Sequence, residues 1–143
     1  MTKLRDVLQA KGGSIISIAP FISVYDALLK MVEKDIGALL VLDNEGKLLG
    51  LFTERDYSRK VVLKGKSSKE TLVREIMVDN PVTISLEESI PMCVKTMTDN
   101  AVRYLPVMSG ENLTGLISLG DVLRHTNAEQ GDRIKSLEDY ITN

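Results

Sequence analysis

Cysteine and histidine are nearly missing from this 143-residue chain, which has one of each, Cys93 and His125. A single thiol excludes an internal disulfide, and the two residues together cannot supply a His/Cys cluster at zinc-ligand spacing. Cys93 lies on the stripe Ile90, Cys93, Val94 and Met97. That is helical i, i+3, i+4, i+7 spacing, so a buried, unreactive thiol is expected. His125 follows an apparent helix and reads as exposed or capping.

Long apolar runs are also missing. The longest, "IGALLVL" (Ile36 to Leu42), is far short of the ~18 residues that a membrane span needs. The start "MTKLRDVLQAKGG" lacks a signal-type apolar core, so a cytoplasmic protein without a membrane partner is expected. Positive charge is not in excess either. A formal net charge of −2 argues against a general nucleic-acid binder, whose affinity rests on many Lys and Arg contacts to phosphate. Apolar residues at 43% and charged ones at 27% belong to a globular chain able to form a core.

What the chain does contain is itself, twice. "IISIAPFISVYDALLKMVEKDIGALLVLDNEGKLLGLFTERD" from Ile15 matches "PVTISLEESIPMCVKTMTDNAVRYLPVMSGENLTGLISLGD" from Pro81. Ser17 aligns with Thr83, Ser23 with Ser89, Leu39 with Leu105 and Val41 with Val107, 66 positions apart. After a turn one residue shorter in the second copy, Gly50 aligns with Gly115 and Asp56 with Asp121, 65 apart. The lead-ins "LRDVL" (Leu4 to Leu8) and "VREIM" (Val73 to Met77) match as well. An internal repeat governs the architecture.

Each copy carries a short β-rich stretch, then Ser23 or Ser89 as a helix N-cap, then an amphipathic helix. Two apolar runs around a polar turn, "DNEGK" or "SGEN", predict a hairpin. Thr53 or Ser118 then opens a second helix. The unit is β-α-β-β-α. Because so small a sheet is marginal until packed, an α+β fold is expected in which two units pack by pseudo-twofold symmetry. The predicted divisions are 1–66, 67–127 and a helical tail over 128–143, with Ile134, Leu137, Tyr140 and Ile141 at helical spacing.

The recurring phrases "TERD" and "SLGD" carry two readings. A hydroxyl residue followed three positions later by an acid is a capping box. The same atoms suit a nucleotide: the N–H groups at a helix start donate to phosphate, and a carboxylate one turn in grips vicinal hydroxyls. The glycines at 50 and 115 fit close ligand approach or a β-bulge equally well.

With "DIGALLVLD", "AVRYLPVM", "GLFTERD" and "GLISLGD" in their relative places, the chain resembles a tandem pair of cystathionine-β-synthase (CBS) domains, a Bateman module, over Leu4 to about Thr126. It is similar to small single-pair proteins of bacteria and plant organelles. The resemblance implies a regulatory fold that binds adenosine nucleotides in two clefts between the repeats. Asp56 or Asp121 would hold the ribose, with Thr53 or Ser118 near the phosphates. The first cleft would combine Asp56, Thr53 and Arg55 with Val82, Arg103 and Tyr104. The second would combine Asp121 and Ser118 with Ile16, Gly37 and Ala38. AMP is the leading ligand, with NAD, ATP, ADP and S-adenosylmethionine as alternatives and no metal required. A homodimer and a separate regulated protein are the implied partners.

The clefts are expected to be unequal. Arg103 offers a fork of donors where the other cleft has Gly37, and a run of cations begins at Arg55, of which Arg55 and Lys60 are the phosphate candidates. Two rival functions stand beside the sensor. One is a ligand-independent dimerisation module. The other is a nucleotide hydrolase, disfavoured because no second carboxylate, histidine or metal cluster accompanies Asp56 and Thr53 by motif, so no enzyme is expected.

Overall fold

The computed structural model describes residues 3–12 and 15–129; the expected helix over 128–143 lies almost wholly outside them. In chain order the elements are α1 (Leu4–Lys11), β1 (Ser17–Ile18), α2 (Val24–Lys34), β2 (Ala38–Leu42), β3 (Leu48–Thr53) and α3 (Glu54–Asp56). α3 runs directly into a π-helical stretch, Tyr57–Val62. Then follow α4 (Val73–Ile76), β4 (Val78–Asp79), β5 (Ile84–Ser85), α5 (Ile90–Asp99), β6 (Tyr104–Ser109), β7 (Asn112–Ser118) and α6 (Leu119–Glu129). The β-α-β-β-α unit occurs twice. No described helix is long and apolar enough to cross a membrane.

Local chemistry explains why the copies fold alike. Ser23 Oγ accepts the Asp26 N–H and Ser89 Oγ accepts the Met92 N–H, capping α2 and α5 as expected. Both helices are left through a left-handed residue at matched positions, Asp35 and Ala101, each at φ 53°. In each sheet a parallel strand joins an antiparallel hairpin: β1-β2-β3-β4 in one, β5-β6-β7 in the other. The ladder between Val41 and Leu42 slips by one residue, and so does that between Val107 and Met108. These bulges fall immediately before Gly50 and Gly115.

Each repeat has its own core. Phe52, Leu39, Val24 and Met31 centre the first, and Leu105, Ile117, Cys93 and Met97 the second. The lead-ins change places. Leu4 and Val7 of α1 are buried in the second core, while Val73 and Ile76 of α4 are buried in the first. A division at 66/67 therefore follows the sequence repeat and cuts across the packing. A third cluster, Ala38, Leu40 and Leu51 with Tyr104, Leu113 and Leu116 against it, joins the two sheets. Burying these faces against each other supplies the cover that neither sheet has alone.

Cys93 is fully buried, and burial pushes its thiol up to about 11. His125 departs from expectation. It lies inside α6 and is half-buried, and its Nε2 is buried without a hydrogen-bond partner among the described residues. The helix continues past it to Glu129, so it is not a cap, and it stands one turn after the buried Val122 on the inward face.

Candidate functional site

A cavity of about 410 Å³ opens between the repeats, within the usual range of small-molecule sites. Asp121 and Ser118 line it from the second repeat, and Ile16, Gly37 and Ala38 from the first. Those five residues are the ones assigned to the second cleft from sequence. Tyr104, assigned to the first, also lines this cavity. A Cβ on Gly37 would stand 2.6 Å from the Tyr104 hydroxyl oxygen, so only glycine leaves room for that side chain. Tyr104 thereby crosses from one repeat to the start of the other's central strand. Burial, then the nearby Glu54 carboxylate, pushes its hydroxyl pKa up, so it faces the cavity as a neutral donor and acceptor.

Asp121 is the cavity's buried charge, at 8% exposure. Its carboxylate and Ser118 form the expected capping pair: the Ser118 N–H donates to Oδ2 at 2.9 Å, and the Asp121 N–H donates to Ser118 Oγ at 3.0 Å. Two cations join them. Lys11 Nζ reaches Oδ2 at 2.8 Å, and the Arg124 guanidinium reaches Oδ1 at 2.6 Å. Burial alone would raise the Asp121 pKa, but the hydrogen bonds from Lys11 and Ser118 and the Lys11 charge outweigh it and hold the carboxyl below the ordinary aspartate value.

The equivalent position is built differently. Asp56, 7% exposed, accepts the Thr53 N–H and hydroxyl on Oδ2 at 2.9 and 3.0 Å. Lys60 meets its Oδ1 at 3.1 Å and also donates to the Ile76 carbonyl. Asp56 does not line the cavity. The other residues assigned there are dispersed in their partners: Arg55 donates to the Ala101 carbonyl at 3.2 Å, Arg103 is exposed with its carbonyl accepting the Leu119 N–H, and Val82 is exposed.

Sequence reasoning missed Lys11 and Arg124. Arg124 stands three residues after Asp121 on α6, a spacing that puts both on one helix face and was readable. Lys11 had no such signal, being 110 positions away. The glycines of the repeated phrase serve packing: a Cβ on Gly50 would press on Met77 Sδ and the Val78 carbonyl, and one on Gly115 would touch only the Leu8 side chain. Among the described residues no cluster of His, Cys, Asp and Glu could hold a metal ion.

Comparison with known proteins agrees with this architecture. The sequence profile of the CBS domain matches residues 4–62 and again 73–127. A mitochondrial CBS domain-containing protein of Arabidopsis thaliana, CBSX3, is 35% identical over 98% of this chain and 72% of its own length. Among solved structures, a protein with CBS domains from Burkholderia ambifaria MC40-6 is 42% identical at TM-score 0.86, covering 90% of this chain and 96% of that one. A CBS-domain protein of Agrobacterium tumefaciens is 32% identical at TM-score 0.83, over 87% and 99%.

Proposed function

Because the chain belongs to the CBS-domain family and is a tandem pair of its repeats, we propose that it is a sensor whose occupied cleft is the one around Asp121. CBS pairs are generally regulatory, non-catalytic modules that bind adenosine-containing ligands. One observation supports this choice of cleft. The cavity combines walls from both repeats, including the small Gly37 and Ala38, with a buried carboxylate at a helix start. The carboxylate suits ribose hydroxyls, the Ser118 hydroxyl and the Gly120 N–H at the start of α6 suit a phosphate, and Ile16 and Ala38 suit the flat faces of a base. AMP is the ligand of choice. A ligand spanning both repeats can couple to a separate partner only through its preference for one packing of them over another.

A thermal-shift series with AMP, ADP, ATP, NAD and S-adenosylmethionine against GMP tests it. A ligand at a hundred times its Kd stabilises the fold by about 2.7 kcal/mol, so an adenosine-selective rise in Tm of several degrees is expected. No shift with any of them, for protein shown to be ligand-free, removes the sensor reading.

A homodimer is compatible with this function and has its own support. Tyr25, Leu29 and Val32 form an outward stripe on α2, with Val32 80% exposed. Apolar stripes of this kind mark association surfaces. Light scattering at micromolar concentration should give twice the chain mass, and a strict monomer would rule the dimer out.

A further inference from the structure

Asp121 is already in use. A carboxylate offers about four acceptor positions, and three are taken: Oδ2 by the Ser118 N–H and Lys11, Oδ1 by Arg124. A pair of vicinal hydroxyls that grips both oxygens needs one position on each; Oδ1 has one open and Oδ2 has none, so the pair cannot seat unless Lys11 yields its place beside the backbone N–H of Ser118. Lys11 and Arg124 both line the cavity, and Lys11 has a second bond into its wall. Its ammonium also donates at 2.8 Å to the carbonyl of Leu116 on the outer edge of β7. A neutral nucleoside that displaced it would leave an ammonium without its carboxylate. A ligand with its own anionic group would give the displaced ammonium a new acceptor.

Resting on the sensor reading above, we propose that Lys11 is a charge selector for the Asp121 cleft, exchanging Asp121 for an anionic group of the ligand so that the site takes nucleoside phosphates and rejects the neutral nucleoside. The exchange also has a mechanical consequence. Lys11 is the last residue of α1, which reaches the second core through Leu4 and Val7 from ahead of the first repeat. Moving its ammonium off Asp121 changes how the C-terminal end of that helix is tied to the second repeat, so occupancy of the cleft is felt at α1.

The test is a titration of the ¹⁵N-labelled full chain with AMP, with adenosine and with inorganic phosphate, for the wild type, Lys11→Met and Lys11→Arg. Methionine keeps the apolar stem, and Lys11→Gln replaces it if that variant proves unstable. The wild type should bind AMP about a hundredfold more tightly than adenosine, with amides of Ser118 to Asp121 and of α1 shifting together. Lys11→Met should shrink that ratio by about tenfold or more through weaker AMP binding, adenosine being held as well or better, while Lys11→Arg keeps it. Inorganic phosphate should perturb α1 in the wild type and not in Lys11→Met. An unchanged ratio in a folded Lys11→Met protein, or equal loss of both ligands, would make Lys11 a purely structural residue and overturn the proposal while leaving the sensor intact. If neither AMP nor adenosine moves the Ser118 to Asp121 amides, the sensor reading itself falls and the selector with it.

Discussion

Asp56 and Asp121 end the same repeated phrase, bond back to the hydroxyl residue that opens a helix and are buried to the same degree, yet only Asp121 lines the cavity. The elements outside the phrase make the difference. After Met77 the chain leaves α4 as β4 and pairs with Gly50 and Leu51 on the outer edge of β3. After the matching Leu8, α1 continues to Lys11, β7 remains an edge strand, and one ammonium meets the Leu116 carbonyl where the first copy has a strand. Across the interface Asp121 faces the small Gly37 and Ala38, whose counterparts are Arg103 and Tyr104. Duplicated caps thus diverge into different sites through the residues that approach them from elsewhere.

The exchanged lead-ins give the largest expected effect. Leu4 is fully buried in the second core, so Leu4→Ala should cost about 2–5 kcal/mol, read as a lower urea midpoint. Amide protection should fall first around Ile84 and Ile117 rather than in the first repeat. Loss confined to the first repeat would show that α1 belongs with its neighbours in sequence.

The two aspartates come next. Asp121→Ala should weaken AMP binding about a hundredfold, or about 2.7 kcal/mol, by calorimetry. Asp56→Ala should leave that affinity within about twofold and cost only a helix cap, about 0.5–2 kcal/mol of stability. The reverse pattern would move the occupied cleft to Asp56.

Smaller effects separate the two glycines. Gly50→Ala presses a methyl on the Val78 carbonyl and should destabilise by about 1–3 kcal/mol. Gly115→Ala meets a flexible leucine end and should stay within about 0.5 kcal/mol. Equal costs would mean that the edges of β3 and β7 are covered alike.

The smallest effect is on pH dependence. The folded-state pKa of Asp121 is depressed, so below about pH 4, where an unfolded aspartate takes up its proton, the unfolded chain binds protons more readily than the folded one. Stability linked to Asp121 is therefore complete above that pH and is lost as pH falls through the folded pKa. Asp121→Asn should flatten the acid limb of the urea midpoint against pH, and an unaltered limb would show that the cations do not hold this carboxylate.

Much of this was legible in residues that act on near neighbours. Ser23, Ser89, Thr53 and Ser118 bind N–H groups three residues on, and the spacing of the apolar residues marks the faces of α2 and α5. The β-bulges before Gly50 and Gly115 were among the readings available for those glycines. Arg124 lay within reach of the same logic, one turn from Asp121. Lys11 did not, and neither did the inward turn of His125, since both depend on what packs from distant parts of the chain.

The two β-α-β-β-α units and their caps were readable from the residues alone, because helix and strand periodicity and capping are set within a few residues, and their partnership followed from the one unit being a copy of the other. Packing at long range set which lead-in enters which core, laid Tyr104 over Gly37 and brought Lys11 onto Asp121 from 110 positions away. Contacts at such separation leave no periodic trace, since they follow from how buried faces fit once the repeats are packed.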